Sequence, residues 1–162
     1  MLASWFCCWI RKDEDLYDEE PISFIPPITK GKVIKVYDGD TITVATKLPY
    51  RTSPLYKFSI RLAGIDCPEI RSKDKFESNL AKYARDKLKN IILGKEVVLD
   101  IKGMDKYGRC LAIVMHSGVS VNQWLIKNNL AVPYDGKTKP RTDWNTVIGS
   151  TDTLLEVLPS LS

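Results

Sequence analysis

Three short charged segments carry the residues of this chain best suited to chemistry: Asp38-Gly39-Asp40-Thr41, Arg61-Leu62-Ala63-Gly64-Ile65-Asp66-Cys67-Pro68-Glu69 and Asp105-Lys106-Tyr107-Gly108-Arg109. Carboxylate oxygens suit a hard divalent cation, and guanidinium groups suit phosphate. Asp40 and Asp66 could converge on one cation, with a backbone carbonyl and waters completing its sphere. Two carboxylates already balance a divalent charge, which leaves Glu69 to act as base on a nearby water. Arg61 and Arg109 would neutralise the charge that builds on phosphorus oxygens in a transition state. The chemistry expected is metal-assisted cleavage of a phosphodiester. Taken singly, none of these groups is specific. An Asp-Gly pair suits a hairpin turn for backbone reasons alone, and one arginine is more often a solvated surface charge.

The elements that must position these groups follow from the apolar periodicity. Val33, Ile34, Val36, Ile42 and Val44 flank Asp38-Gly39, which predicts a hairpin over 31–36 and 41–46. Phe58, Ile60 and Leu62 alternate with Ser59, Arg61 and Ala63, a strand with Arg61 off the apolar face and an end at Cys67-Pro68. Phe76, Leu80, Tyr83, Ala84, Leu88, Ile91 and Ile92 recur at helical spacing up to Gly94. Residues 97–101 and 110–115 predict a second hairpin around Asp105-Lys106-Tyr107-Gly108, and Ser120 an N-cap for a helix over 121–128. Leu154, Leu155, Val157 and Leu158 could add a helical turn or two before Pro159. The order strand, strand, strand, helix, strand, strand, helix is compatible with the α+β class. It predicts a five-stranded OB-fold barrel with two or three packed helices. The domain is expected over residues 30–145, after an apolar, then acidic and Pro-rich tail over 1–29 and before a C-terminal segment over 146–162.

A chain of 162 residues, 44% hydrophobic and 27% charged, suits one such domain with tails. Its formal charge of +4 hides an asymmetry. Residues 1–20 hold two basic and six acidic residues, a net of −4, and the rest hold 22 basic and 14 acidic, a net of +8. That basic body is a plausible footprint for nucleic acid, although a well-solvated surface explains charge alone equally well. Four cysteines without a CxxC or Cys/His cluster argue against a disulfide scaffold and a zinc site. The single histidine, His116, is expected to be structural. The N-terminal MLASWFCCWI is too short to span a bilayer and lacks the marks of a cleavable signal peptide. Two readings stand for it: an apolar start that packs or stays loose, or a membrane anchor with Cys7 and Cys8 as lipidation sites. Leu2 excludes myristoylation. The sequence does not fix the compartment: an intracellular location suits the missing signal-peptide marks, with membrane association through residues 1–10 under the second reading.

The text VYDGDTITV at 36–44, IRLAGIDCPE at 60–69, MDKYGRCLAIV at 104–114 and VNQWLIKNNLA at 121–131 resembles the thermonuclease (staphylococcal or micrococcal nuclease-like) family across residues 30–134. The resemblance implies a Ca²⁺-dependent endo- and exonuclease, acting on DNA and RNA and leaving 3′-phosphate and 5′-hydroxyl ends; the chain is expected to be a monomer. It makes Asp40 and Asp66 the calcium carboxylates. Cys67 stands where the family commonly has Thr and would bind through its backbone carbonyl. The resemblance makes Glu69 the general base and Arg61 and Arg109 the phosphate grip. It places Lys106, Tyr107 and Tyr134 against substrate. The alternative is a barrel that binds nucleic acid or peptide without cleaving it. The chain departs from the family's pattern in residues 141–158, which lack the usual charged, alanine-rich helix, and in a longer loop over 47–57. Cys67 and Cys110, each beside a motif residue, could form a redox pair if they lie close.

Overall fold

In the first hairpin, β1 (Lys30–Val36) and β2 (Thr41–Lys47), Val33, Val36, Ile42 and Val44 are buried while Lys32, Lys35 and Lys47 stay exposed. That alternation fixes register, because a one-residue slip would turn every apolar side chain outward. The computed structural model, which describes residues 20, 22–136 and 142–149, pairs Val36 with Ile42 and Val33 with Val44. A bulge between Val33 and Lys35 inserts Ile34. β3 (Leu55–Leu62) lies antiparallel to β2, and β5 (Glu96–Met104) antiparallel to both β1 and β6 (Cys110–His116). β6 then pairs in parallel with β3, from Ile60↔Cys110 to Leu62↔Ala112. This last pairing closes β3-β2-β1-β5-β6 into the expected five-stranded barrel. Closure removes the open edges that an isolated sheet would present. Ile42, Ile60, Leu62, Leu99 and Val114 fill its interior.

Three short strands serve the rim: β4 (Ile65–Asp66), β7 (Val119–Ser120) and β8 (Val132–Pro133). The sequence places the end of the third long strand at Cys67-Pro68. In the structure β3 stops at Leu62, Gly64 turns the chain at φ 76°, and β4 pairs with β8. Only glycine takes that left-handed backbone without a steric cost. The turn matters to the site because it folds Arg61 and Asp66 toward each other.

Helix α1 (Lys75–Ile92) buries Leu80, Ala84, Leu88 and Ile92 against the barrel. Asp74 caps it, accepting from the Phe76 N–H at 2.9 Å, and Gly94 at φ 75° follows its end. Ser120 caps α2 (Val121–Lys127) as expected, accepting from the Gln123 N–H at 3.3 Å. Asn122 on α2 is a buried latch: its Nδ2 donates to the Ala63 and Ala112 carbonyls (2.8 and 3.3 Å) and its Oδ1 accepts from the Val114 N–H (2.9 Å). The side chain thereby ties α2 to β6 and to the turn after β3. A third helix, α3 (Trp144–Gly149), buries Trp144 and Ile148 in the same core, and Ile28 packs there from the other end of the chain. No helix among the described residues is long and apolar enough to cross a membrane. Cys7, Cys8 and the helical turn expected over 154–158 lie outside those residues.

Candidate active site

The turn between β1 and β2 sets Asp38 and Asp40 at one barrel rim, and the β3–β4 turn brings Arg61 and Asp66 to the same place. These residues, with Glu69 and Arg109, line one open cleft of about 490 Å³. The sequence thus assigned five residues to one site that the fold does bring together: Asp40, Arg61, Asp66, Glu69 and Arg109. Asp40 and Asp66 are buried, at 7% and 4% exposure. Arg61 forms an ion pair to each, through Nη1 to Asp40 Oδ2 and through Nη2 to Asp66 Oδ1 at 3.3 Å. Two buried charges of one sign demand such compensation. Burial pulls Arg61 below the usual arginine range, an effect opposed by Asp66, and the group stays cationic. The Cys67 N–H donates to Asp40 Oδ2 at 3.3 Å. A Cβ added at Gly39 would lie 2.9 Å from Cys67 Sγ, so the β1–β2 turn rests directly on that thiol.

Arg109 is aimed by two partners that sequence reasoning did not single out. Its Nε donates to Asp105 Oδ2 at 2.6 Å, and its Nη1 to Thr41 Oγ1 at 3.2 Å. Thr41 Oγ1 in turn donates to Asp40 Oδ1 at 3.0 Å. A polar relay therefore runs from the guanidinium to the buried carboxylate. Burial pushes Asp105 up. The Arg109 N–H and side chain and the Tyr107 N–H outweigh it and hold the carboxyl below its ordinary range. Asp38, whose Oδ1 accepts from the Asp40 N–H at 3.2 Å, is pushed up by burial against opposing help from Thr41 and Arg61.

Glu69 sits on the loop between β4 and α1, and Glu77 on α1 organises that loop. Glu77 Oε1 accepts from the Glu69 N–H and from Trp144 Nε1, each at 3.1 Å, and its Oε2 from Ser72 Oγ at 2.6 Å. The legible signal was the Asp74-x-x-Glu77 pattern of a helix start, though Glu77 reaches beyond the cap to the loop. Arg71 and Tyr37 also line the cleft and were not foreseen.

The other expected substrate residues lie farther out. Tyr107 is exposed on the β5–β6 turn, its ring 5.1 Å from Lys106 Nζ and 5.5 Å from Arg109 Cζ. Tyr134 lines a separate shallow hollow with Gly64, Pro133 and Asp135. His116 Nδ1 lies 3.1 Å from the Glu96 carbonyl, away from the cleft, as expected of a structural histidine. Cys67 and Cys110 are both buried thiols outside any disulfide.

Among the described residues no group of three or more His, Cys, Asp or Glu side chains is gathered closely enough to hold a metal ion. Two buried carboxylates nevertheless share one guanidinium, which leaves that trio net negative. The donors are oxygens only. Such a set fits a hard cation that completes its sphere with carbonyl and water oxygens.

The barrel and its rim cleft define an OB-fold domain. Residues 59–149 match the family described as Staphylococcal nuclease homologue, and the chain belongs to that family. It is 30% identical over 106 residues to an "Uncharacterized endonuclease" of Escherichia coli, covering 65% of this chain and 61% of that protein. To an "Uncharacterized endonuclease" of Haemophilus influenzae it is 32% identical over 103 residues, 64% of this chain and 51% of the relative. A "Micrococcal nuclease" of Shigella flexneri is 35% identical over 85 residues, 52% of this chain and 41% of the relative. The chain thus spans less than two thirds of the length of these relatives.

Proposed function

We propose that the protein is a calcium-dependent nuclease that hydrolyses DNA and RNA phosphodiesters and leaves 3′-phosphate ends. The observation that carries this reading is the single cleft holding two buried carboxylates, a further glutamate and two arginines. The names of the relatives support the reaction class.

Asp40, Asp66 and the Cys67 carbonyl would hold the ion. When bound, it supplies positive charge to phosphate oxygens and acidifies water nearby. Glu69 takes the proton of the attacking water at its carboxylate. As the water oxygen bonds to phosphorus, the bond to the 5′ oxygen breaks, and that oxygen leaves with the bonding pair and becomes a hydroxyl by taking a proton from solvent water. Arg109, fixed by Asp105 and Thr41, and Arg61, held at the carboxylates, meet the negative charge that grows on the phosphate. Their prior fixation means little reorganisation is needed as the charge develops.

A plasmid-nicking assay with Ca²⁺, Mg²⁺ or EDTA tests this directly. Nicking is expected with Ca²⁺ and none with EDTA. Glu69→Gln should lower kcat by about two to four orders of magnitude while single-stranded DNA still binds. Cleavage by that variant at the parent rate would sink the assignment of the base.

A further inference from the structure

The bulge in β1 has a consequence for the outside of the barrel. Lys32 and Lys35 are three residues apart, and in a regular strand they would point to opposite faces. With Ile34 inserted, Lys32 pairs with Ala45 and Lys35 with Thr43, so both share the outer face. On β2 and β3 that face continues through Thr41↔Arg61, Thr43↔Ser59, Ala45↔Lys57 and Lys47↔Leu55. Read away from the cleft, the rows are Arg61, then Lys35, then Lys32 with Lys57, then Lys47. Successive rows are about 7 Å apart.

All four lysines are exposed. The three strands together carry five lysines, one arginine and no acidic residue. Their floor between the lysines is small: Thr43, Ala45 and Ser59. The acid beside the stripe is Glu96 on β5, which lies opposite Lys32 and reaches toward Lys30 at 3.9 Å. At the cleft end, Tyr37 lines the cleft, is half exposed, and has Lys35 Nζ 5.4 Å from its ring centroid.

We propose that the outer face of β1, β2 and β3 is a track for a single nucleic-acid strand running out of the cleft. Lys35, Lys32, Lys57 and Lys47 would meet successive backbone phosphates, and Tyr37 would stack a base at the point of entry. The occupant follows from charge complementarity and continuity. A line of cations over a floor of small side chains, starting at a phosphate-gripping arginine, matches a flexible polyanion. The proposal rests on reading the cleft as the cleavage site, and it adds where the rest of the strand lies.

The test is binding of a labelled oligothymidine of about twelve nucleotides, in EDTA so that nothing is cleaved, across a salt series. Two variants lose the same charge. One is Lys32→Gln/Lys35→Gln/Lys57→Gln on the track. The other is Lys82→Gln/Lys87→Gln/Lys89→Gln on α1, whose lysines are also exposed. The track variant should bind more weakly, and its slope of log K against log salt should drop by about 2, or about 0.7 per lost phosphate contact. The helix variant should keep the parent slope. Circular dichroism and thermal melting confirm that both fold. An equal loss in both variants, no loss in the track variant, or no binding by the parent would each overturn the track. Binding that depends on the track, without Ca²⁺-dependent cleavage by the parent, upholds it and instead defeats the catalytic reading.

Discussion

Asp105 accepts from its own turn, through the Tyr107 and Arg109 N–H groups at 2.9 Å each, and also from the Arg109 side chain. Asp105→Asn removes the charge that fixes the guanidinium. Since small misplacements of a catalytic group are costly, kcat should fall about tenfold to a hundredfold with less change in KM. The two perturbed acids of the site act on stability in opposite directions. Asp105 is held below its ordinary 3.8 in the fold, so its contribution is present at neutral pH and is lost as pH falls through that lowered value. Asp38 is pushed above 3.8 by burial, so the fold loses stability as pH rises from 3.8 through the raised value. Asp38→Asn should therefore stabilise the protein at pH 7, with the gain fading as pH falls toward 3.8; urea titrations at both pH values check it. Asp40, Arg61, Asp66, Glu69 and Arg109 were legible because each sits in a motif of fixed spacing. The part played by Thr41 was not, nor was the reach of Glu77 beyond its helix start, because Thr41 and Arg109 are 68 residues apart, and Glu77 and Trp144 are 67 apart. No local pattern announces such a meeting.

Between residue and whole stand the fastenings that hold the loops of the site to its helices. Glu77 joins α1 to the Glu69 loop and to α3 in one carboxylate. Glu77→Gln keeps the shape of the side chain and loses the charge. It should lower kcat more than KM, and reduce stability by about 1–3 kcal/mol as its donors lose their partner. A parent kcat in the folded variant would show that Glu77 is only structural. Asn122 plays the matching part for α2. Asn122→Ala strands the Ala63 carbonyl and the Val114 N–H, while the Ala112 carbonyl keeps the Ala63 N–H at 2.8 Å, and should cost about 2 kcal/mol in urea unfolding. Most elements were legible from periodicity: burial alternates along β6, and along β1 up to the bulge at Ile34. The barrel was expected from the order of elements, but the register of its parallel β3–β6 closure was not legible, because pairing between distant strands leaves no trace in either strand alone. α3 escaped notice for a related reason: six residues with two core side chains, Trp144 and Ile148, are too short for a period.

For the whole molecule, a cation at Asp40 and Asp66 would bind the folded chain and not the unfolded one. Ca²⁺ should then raise the unfolding temperature, by an amount set by mass action and worth about 2.7 kcal/mol at a hundred times Kd. Asp40→Asn and Asp66→Asn should abolish the rise, and EDTA should reverse it. This readout is independent of cleavage. One more consequence follows from the β1–β2 turn lying on Cys67. That thiol is at 3% exposure beneath Gly39, at the floor of the cleft, while Cys110 at 1% lies between β3 and β6 in the barrel wall. An alkylating reagent should therefore reach the first when the rim lifts and the second only when the barrel opens, so Cys67 should be labelled faster than Cys110. Among the described residues these two thiols would serve as separate clocks, one timing the breathing of the rim and the other the rupture of the barrel.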